Sequence, residues 1–339
     1  MRALITGGRG FVGRHLEAHL ASCGDEVVAI DLEHDVANTE EMAGVVGEVT
    51  PDAIYHLAAI SHVGQSWDDP TEVLRVNVLG TASVLAAARR LERPAATLLV
   101  SSAEVYGIVS PEDLPLSELS DARPASPYAA SKLAAEVIAA QAVVGYQQRV
   151  VIARPFNHFG PGQSPSFFIP ALCTRLIDAR DTGRSQVPVG NLTTRRDFTD
   201  VRDVVRAYRM LIESGISGER YVIASGVDRS MSEIADTLVA LVGGGVELVA
   251  DPSLMRPADV PVLRGDSSKL RAVTGWIPEI DFATTLNDTL ASLEDYLSDF
   301  SDFAGLSALA GAASASVGFN LADTVAWAFD VASRALAEA

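Results

Sequence analysis

Three glycines near the N-terminus constrain the fold of this chain more than any other feature. Gly7, Gly10 and Gly13 follow a short apolar run at residues 2–6 and begin an amphipathic segment. The first glycine permits a sharp turn, the second lets the backbone approach a pyrophosphate, and the third allows a helix to pack closely on a strand. The spacing alone is a weak signal, because a purely structural turn can use the same glycines. Its place between a strand and a helix favours dinucleotide binding, with phosphates at the helix N-terminus.

Short apolar runs and longer amphipathic segments alternate after this turn. The pattern predicts strands at 26–30, 53–57, 97–101 and 150–154 and helices at 71–90 and 128–144. This alternation is typical of an α/β fold, a Rossmann-type doubly wound parallel sheet with a smaller C-terminal substrate-binding domain. We predict an NAD(P)-binding core at 1–157, a mainly substrate-binding domain with returning Rossmann elements at 158–299, and an extension of unknown role at 300–339.

The composition disfavours several other classes of protein. A net charge of -18 argues against nucleic-acid or anionic-membrane partners, and the 48% apolar content argues against general disorder. The two cysteines, Cys23 and Cys173, form no metal-ligand cluster and indicate a reducing compartment. The N-terminus lacks the apolar segment of a signal peptide, so we expect a cytoplasmic protein. No uninterrupted apolar stretch reaches membrane-spanning length, so we expect no membrane contact. We also expect no bound metal.

The end of the second strand carries the residues that bear on cofactor choice. Asp31 can accept hydrogen bonds from an adenosine ribose, and its charge repels a 2′-phosphate. Glu33 adds to that repulsion, whereas Arg9 in the glycine turn can offset it. The sequence therefore favours NAD, with NADP possible. Asp35 and Val36 are candidates for a contact with the adenine edge, although a surface turn explains them equally well.

A tyrosine and a lysine four residues apart suggest the chemistry. On a helix this spacing places Tyr128 and Lys132 on one face, and we expect the ammonium to lower the pKa of the phenol. The tyrosine could then exchange a proton with a sugar hydroxyl or carbonyl while hydride moves to or from a nicotinamide. Ser102, after the strand predicted at 97–101, would hydrogen-bond the same oxygen. A tyrosine–lysine pair alone usually marks an exposed helix face, but the serine and the glycine turn favour a catalytic site.

Seven segments resemble, in the same order, the extended short-chain dehydrogenase/reductase family, also called the NAD-dependent epimerase/dehydratase family. They cover roughly residues 1–295. The later ones are most similar to the branch that contains GDP-4-keto-6-deoxymannose reductase and GDP-mannose 4,6-dehydratase. The segments are TGGRGFVG (6–13), HLAA (56–59), SSAEVYG (101–107), SPYAASK (126–132), RPFNHFGPGQ (154–163), RRDFTDVRD (195–203) and RPADVPVLRGDSSK (256–269).

The resemblance implies roles for individual residues. Ser102, Glu104, Tyr128 and Lys132 match the catalytic positions. The implied cofactor-binding residues are Gly7, Gly10, Phe11, Val12, Gly13, Asp31, Asp35, Val36, Leu57, Ala58, Ala59, Tyr128 and Lys132. The implied substrate-binding residues are Asn157, Val187, Arg196, Arg256 and Asp259, with the two arginines holding the diphosphate and ribose. Relatives often have glutamate at the Asp259 position.

Several reactions remain open from the sequence. The resemblance implies a nucleotide-diphosphate sugar as substrate, with a GDP-hexose favoured. A 4,6-dehydratase needs a base for the C5 proton, which Glu104 could supply, and an acid for O6. Ala103 stands where dehydratases carry serine, threonine or aspartate, which favours reduction of GDP-4-keto-6-deoxymannose. The alternatives are GDP-mannose 4,6-dehydratase, a UDP- or TDP-sugar 4-epimerase or dehydratase, and a non-catalytic dinucleotide sensor.

The helix that carries Tyr128 and Lys132 has a further small and apolar face. Its members are Ala129, Leu133, Val137 and Ala140. Related enzymes pair this helix and the helix predicted at 71–90 across a two-fold axis into a four-helix bundle. We therefore expect a homodimer or a larger assembly built on it.

Overall fold

A computed structural model describes residues 1–255 and 260–302 of the chain. Its strands are β1 (Arg2–Thr6), β2 (Glu26–Ile30), β3 (Ala53–His56), β4 (Ala96–Val100), β5 (Val150–Pro155), β6 (Asn157–Phe159), β7 (Gln186–Val189), β8 (Arg195–Asp200), β9 (Arg220–Ile223), β10 (Asp228–Ser230), β11 (Glu247–Ala250) and β12 (Val262–Leu263). Its helices are α1 (Phe11–Ser22), α2 (Thr39–Val49), α3 (Pro70–Leu74), α4 (Gly80–Arg89), α5 (Pro127–Tyr146), α6 (Phe168–Thr182), α7 (Val201–Ser214), α8 (Met231–Val242), α9 (Ser268–Thr274) and α10 (Phe282–Asp302).

A six-stranded parallel sheet forms the centre of the larger part of the fold. Its strand order is β2-β1-β3-β4-β5-β9, and each neighbouring pair is parallel. Because all strands run the same way, the loops that follow β1, β2, β3 and β4 lie at one edge of the sheet. Open α/β sheets bind ligands at this carboxyl edge. The predicted Rossmann-type α/β fold is confirmed.

Helices cover both faces of this sheet. On one face α1 and α7 pack on the strands through buried residues that include Leu16, Leu20, Tyr208 and Leu211. On the other face α2 and α4 pack through a second apolar cluster, and α5 packs on β4 and β5 through a third. Burial on both faces explains why the strands are continuous apolar runs rather than alternating ones.

The chain divides into two compact units. The first comprises Met1–His158, Arg196–Asp228 and the described residues of 258–279, and it contains the six-stranded sheet. The second comprises Phe159–Arg195, residues 229–255 and the described residues from Ile280 onwards. Within the second unit β7 and β11 pair in parallel, and α6 packs on α8 and α10. None of the helices in the described residues combines the length and apolar character needed to cross a bilayer.

The structure differs from the predicted elements in two places. The helix predicted at 71–90 is α3 and α4 joined by a π-helical turn at Arg75–Leu79. Helix α2, which we did not predict, follows the loop after β2. Its N-terminus is capped by the Asn38 side chain, which accepts hydrogen bonds from the Glu40 and Glu41 N–H groups.

The apolar face predicted on α5 is only partly exposed. Ala129 is buried inside the subunit, so its assignment to an outer face was wrong. The large apolar side chains that α5 exposes are Val137 and Val144, which are 60% and 85% exposed, and Tyr146 at its end.

Candidate active site

The glycine turn joins β1 to α1 in a conformation that side chains would obstruct. Gly7 has a φ of 73°, and a Cβ atom there would lie 2.8 Å from the backbone nitrogen of Ala58. A Cβ atom on Gly13 would lie 2.3 Å from the carbonyl oxygen of Gly7. Internal packing therefore explains these two glycines. It also explains Gly8, which we did not single out and whose Cβ atom would clash with Ala29 at 2.5 Å.

Gly10 has a different reason to be glycine. A Cβ atom there would lie 3.3 Å from the Gly7 carbonyl oxygen, and the other described residues leave that position open. Gly10 is also the N-cap of α1, and it has no side chain to place in front of the helix. A pyrophosphate could therefore approach the N–H groups of the first turn, so this segment fits the dinucleotide that the motif implies.

The residues predicted to bear on cofactor choice form a small polar network after β2. Asp31 accepts a hydrogen bond from the backbone N–H of Arg9 at 2.8 Å, and its own N–H donates to Glu33 at 3.0 Å. The guanidinium of Arg9 lies 3.5 Å from the Glu33 carboxylate. Burial alone would raise the pKa of Glu33, but backbone hydrogen bonds and Arg9 hold it below its usual value. Glu33 is therefore charged, and it forms an ion pair with Arg9, whose backbone N–H is bonded to Asp31.

Asp35 and Val36 have partners within the protein. Both carboxylate oxygens of Asp35 accept from Arg75 Nη1, at 2.9 and 2.7 Å. The Val36 side chain is buried in the apolar cluster of α2 and α4. Their proposed contact with adenine stays a prediction.

The end of β3 lies against the glycine turn. Leu57 donates its N–H to the carbonyl of Thr6, and Ala58 donates to the Thr6 hydroxyl. His56 is hydrogen bonded to Thr6 at 2.8 Å and to Thr81 at 3.1 Å. Burial, helped by the charge of Lys132, lowers the pKa of His56 to about 3, so the imidazole is neutral. This histidine stabilises the cofactor-facing edge rather than exchanging protons. Ala59, the last residue of the HLAA segment, is half-buried in the same stretch.

Helix α5 presents the tyrosine and lysine to the end of β4. Ser126 caps the helix by accepting from the Ala129 N–H, and Pro127 occupies the first helical position. The Ser102 hydroxyl lies close enough to the Tyr128 phenol to lower its pKa. The Lys132 ammonium lies 5.9 Å from the centre of the Tyr128 ring. The structure therefore brings together the serine, tyrosine and lysine that the sequence predicted.

The predicted lowering of the tyrosine pKa was wrong for the protein alone. Burial raises the pKa of Tyr128 to about 12, although the hydrogen bond with Ser102 opposes the rise and the Glu104 carboxylate adds to it. Lys132 is itself buried, which lowers its pKa to about 8, and its ammonium donates to the carbonyl of Val100 at 2.9 Å. Desolvation therefore sets the direction of both shifts, and the phenol is protonated at neutral pH.

Glu104 and Ala103 lie in a short 3-10 turn whose N-cap is Ser102. The Glu104 N–H donates to the Ser102 hydroxyl at 3.2 Å, and the glutamate side chain is half-buried. Ala103 is 4% exposed and packs in an apolar cluster with Val105 and Leu116. Ala103 therefore contributes only a methyl group to this apolar cluster, and it offers no proton donor beside Glu104.

The predicted substrate-binding residues fall on different elements. Asn157 is half-buried at the start of β6, and Arg196 is buried in β8, which pairs with β6. Val187 is buried in β7 of the second unit. Arg256 and Asp259 lie outside the described residues, as does 303–339.

One aromatic contact at the start of α1 escaped the sequence analysis. The ring of Phe11 is stacked on that of His158, with centroids 6.4 Å apart and an interplanar angle of 8°. Burial lowers the pKa of His158, whose Nδ1 is hydrogen bonded to the Phe156 carbonyl. Val12 packs beside Phe11 against the core of the first unit. The only sequence signal for this contact is the histidine that directly follows Asn157 in the segment RPFNHFGPGQ.

Together these features define a class of enzyme. A doubly wound parallel sheet carries a glycine turn suited to a dinucleotide, and a neighbouring serine and tyrosine lie with a buried lysine at its carboxyl edge. This is the arrangement of an NAD(P)-dependent oxidoreductase of the extended short-chain dehydrogenase/reductase type.

Comparison with known proteins places the chain more narrowly. The GDP-mannose 4,6 dehydratase family model matches residues 31–289, and the chain belongs to this family. It is 37% identical over 297 residues to a GDP-6-deoxy-D-mannose reductase from Pseudomonas aeruginosa, covering 86% of this chain and 97% of that protein. It is 31% identical to a UDP-glucose 4-epimerase from Mycolicibacterium smegmatis, covering 86% of this chain and 97% of the epimerase.

A solved structure supports the same placement. The structure of RMD from Pseudomonas aeruginosa complexed with NADPH superposes with a TM-score of 0.80 at 34% identity. The match covers 87% of this chain and 100% of that one. The predicted family, fold class and enzymatic nature are therefore confirmed, as is the use of a nicotinamide dinucleotide.

Proposed function

We propose that this enzyme reduces the C4 carbonyl of GDP-4-keto-6-deoxy-D-mannose with NAD(P)H. The observation that carries the proposal is the pairing of a complete serine, tyrosine and lysine set with Ala103 in a dry apolar cluster. The set supplies what carbonyl reduction needs, while the alanine removes the proton donor that loss of the C6 hydroxyl would need. The similarity to a GDP-6-deoxy-D-mannose reductase points the same way.

The described residues account for the protonation half of this reaction. The bound cofactor supplies hydride to the carbonyl carbon. Tyr128 is protonated at neutral pH, so its phenol donates the proton that the developing alkoxide requires. The Ser102 hydroxyl hydrogen-bonds the same oxygen and holds it in line with the phenol. The Lys132 ammonium stabilises the phenolate that remains after transfer.

We assign substrate binding to Asn157, Val187, Arg196, Arg256 and Asp259. Arginine pairs with phosphate oxygens through two parallel N–H donors, which suits a diphosphate substrate. In this proposal the first unit is the dinucleotide-binding core and the second is mainly a substrate-binding unit. We further propose that the enzyme works in the cytoplasm, consistent with the free thiols of Cys23 and Cys173.

The proposed reaction is tested with two substrates in parallel. GDP-mannose with NAD(P) and GDP-4-keto-6-deoxymannose with NAD(P)H are each incubated with the enzyme and analysed by mass spectrometry. The keto sugar should gain two hydrogens and consume one equivalent of reduced cofactor, and GDP-mannose should return unchanged. Tyr128→Phe should lower turnover by on the order of a hundredfold, because it removes the general acid.

A second variant separates reductase from dehydratase. Glu104→Gln should have a much smaller effect on reduction, which has no C5 proton to remove. Loss of water from GDP-mannose, abolished by Glu104→Gln, would identify a dehydratase and overturn the proposal. Tightly retained NAD in the purified protein, with interconversion of UDP-sugars, would identify an epimerase, and failure to turn over any sugar would favour a dinucleotide sensor.

We also propose that the enzyme assembles as a homodimer through α5 and the helical segment 71–90. The support is the apolar side chains that these segments expose, Val137 and Val144 on α5 and Leu74 and Leu79 in the other segment. Large apolar side chains exposed together on neighbouring helices are typical of an interface between subunits.

A further inference from the structure

Glu136 is fully buried one helical turn beyond Lys132, on the same face of α5. Its carboxylate accepts a hydrogen bond from the Ser101 hydroxyl at 2.6 Å and forms a bidentate pair with Arg154, at 2.8 and 2.7 Å. Arg220 donates to the same carboxylate at 2.8 Å. Burial alone would raise the pKa of Glu136, but the two arginines and Ser101 hold it below its usual value, so the carboxylate is charged.

These contacts connect α5 to three neighbouring strands of the sheet. Ser101 directly follows β4, Arg154 belongs to β5, and Arg220 begins β9. Arg154 also donates to the Tyr106 hydroxyl at 3.2 Å, so the 3-10 turn after Ser102 is hydrogen bonded to the same cluster. The carboxylate therefore fixes the helix along its axis relative to the end of β4.

The end of β4 holds α5 through three successive residues. The Val100 carbonyl accepts from Lys132, Ser101 donates to Glu136, and the Ser102 hydroxyl lies beside the Tyr128 phenol, whose pKa it lowers. On the helix the three partners are four residues apart, so they form one row along a single face. A shift of the helix that weakens one contact must change the other two.

We propose that Glu136 and Ser101 are positioning residues that set the distance between the Ser102 hydroxyl and the Tyr128 phenol. A buried ion pair seldom stabilises a fold more than apolar residues of similar volume would, whereas its directional bonds select one register of the packed elements. The inference rests on the proposed reduction, because the position of the phenol matters for proton transfer to the substrate oxygen. Misplacement of a catalytic group by about 1 Å can cost about a hundredfold in rate.

The first test uses Ser101→Ala, which removes only the hydroxyl and keeps all the charges of the cluster. We expect kcat for the keto sugar to fall by about tenfold or more, with the KM for the sugar and the dissociation constant of the cofactor unchanged. Ser101→Thr, which keeps a hydroxyl, should restore most of the rate. Glu136→Gln should lower kcat further and also lower the melting temperature, because it leaves two arginines without their anion.

Asp25→Asn is the matched control. Asp25 is a buried carboxylate with two cationic partners, the N-terminal amine at 2.7 Å and Arg209 at 2.9 Å. It directly precedes β2 and therefore lies at the edge of the sheet opposite to Ser102. Asp25→Asn should lower the melting temperature and leave kcat near the wild-type value.

Hydrogen exchange supplies a readout that does not depend on the substrate. Ser101→Ala should accelerate amide exchange in the first turns of α5, and Asp25→Asn should not. Unchanged exchange and unchanged kcat in Ser101→Ala would overturn the positioning role, as would equal losses of kcat in Ser101→Ala and Asp25→Asn. Faster exchange in an enzyme that does not reduce the keto sugar would uphold the anchoring of α5 and refute the proposed reaction instead.

Discussion

Replacing Lys132 with methionine should slow carbonyl reduction by a factor that the structure allows us to calculate. The ammonium lies 5.9 Å from the centre of the ring of Tyr128, whose phenol becomes negatively charged as it gives up its proton. At an effective dielectric constant of about 20, two unit charges at this separation attract by about 2.8 kcal/mol. If the full attraction is realised in the transition state, its loss corresponds to about a hundredfold in kcat.

The assay follows the loss of reduced cofactor with the keto sugar, at saturating cofactor and at a pH below 8. Saturation matters because Lys132 is also assigned to cofactor binding, and a separate binding titration then reports any change in cofactor affinity. We expect kcat to fall about a hundredfold, with a small change in the KM for the sugar.

Lys269→Met serves as the matched control for this experiment. The Lys269 ammonium lies 4.7 Å from the centre of the ring of Tyr221, a buried core residue of β9, and pairs with Glu219. This variant loses a similar lysine–tyrosine contact away from the catalytic tyrosine, so its kcat should stay close to the wild-type value. A loss smaller than about tenfold in Lys132→Met, equivalent to about 1.4 kcal/mol, would refute the electrostatic role of Lys132.

Three further predictions follow from the same region and from the helix surface. Burial lowers the pKa of Lys132 to about 8, so the stabilising ammonium is present below that pH and is lost above it. We therefore expect kcat for reduction to decline as the pH rises through about 8. A constant rate well above this pH would contradict the role given to Lys132. Asp31 and Glu33 place two carboxylates beside Arg9, where they would repel the 2′-phosphate of NADP(H). Steady-state kinetics should therefore show that NAD(H) is used at least as well as NADP(H). A preference for NADPH of about tenfold or more would instead show that Arg9 decides the cofactor. Light scattering at micromolar concentration should show a dimer, which Val137→Glu should dissociate by burying a charge in the helix interface; a wild-type monomer would exclude that interface.

The sheet and the catalytic helix could be predicted because local sequence determines them. Apolar runs alternating with amphipathic segments specify strands and helices in order, and the glycine turn fixes where a dinucleotide would approach. Helix α2 could not be found in the same way. It contains Gly44 and Gly47, each of which lowers helix propensity by about 1 kcal/mol, and it forms because tertiary packing buries Met42 and Val46.

The electrostatic state of the site depends on contacts that no local pattern reveals. Glu136 meets Ser101, Arg154 and Arg220, which lie 35, 18 and 84 residues away in the chain. The pKa of Tyr128 depends on its burial, which the spacing of tyrosine and lysine does not encode. The sequence therefore indicated which groups lie together at the candidate site and misjudged the direction in which the pKa of Tyr128 shifts.

That resting state is the one from which carbonyl reduction starts, because the protein alone holds Tyr128 protonated at pH 7. Oxidation of C4, the first step of a dehydratase, starts instead from the tyrosine as a base. A ketoreductase needs the protonated phenol, which is the form already present.

Glu104 acts on the same phenol. Its carboxylate raises the pKa of Tyr128 and therefore opposes the stabilisation of the phenolate by Lys132. In the proposed reduction this carboxylate has no C5 proton to abstract, and its presence is compatible with Ala103 beside it. The two residues that appeared to point to different reactions in the sequence are consistent with one reaction in the structure.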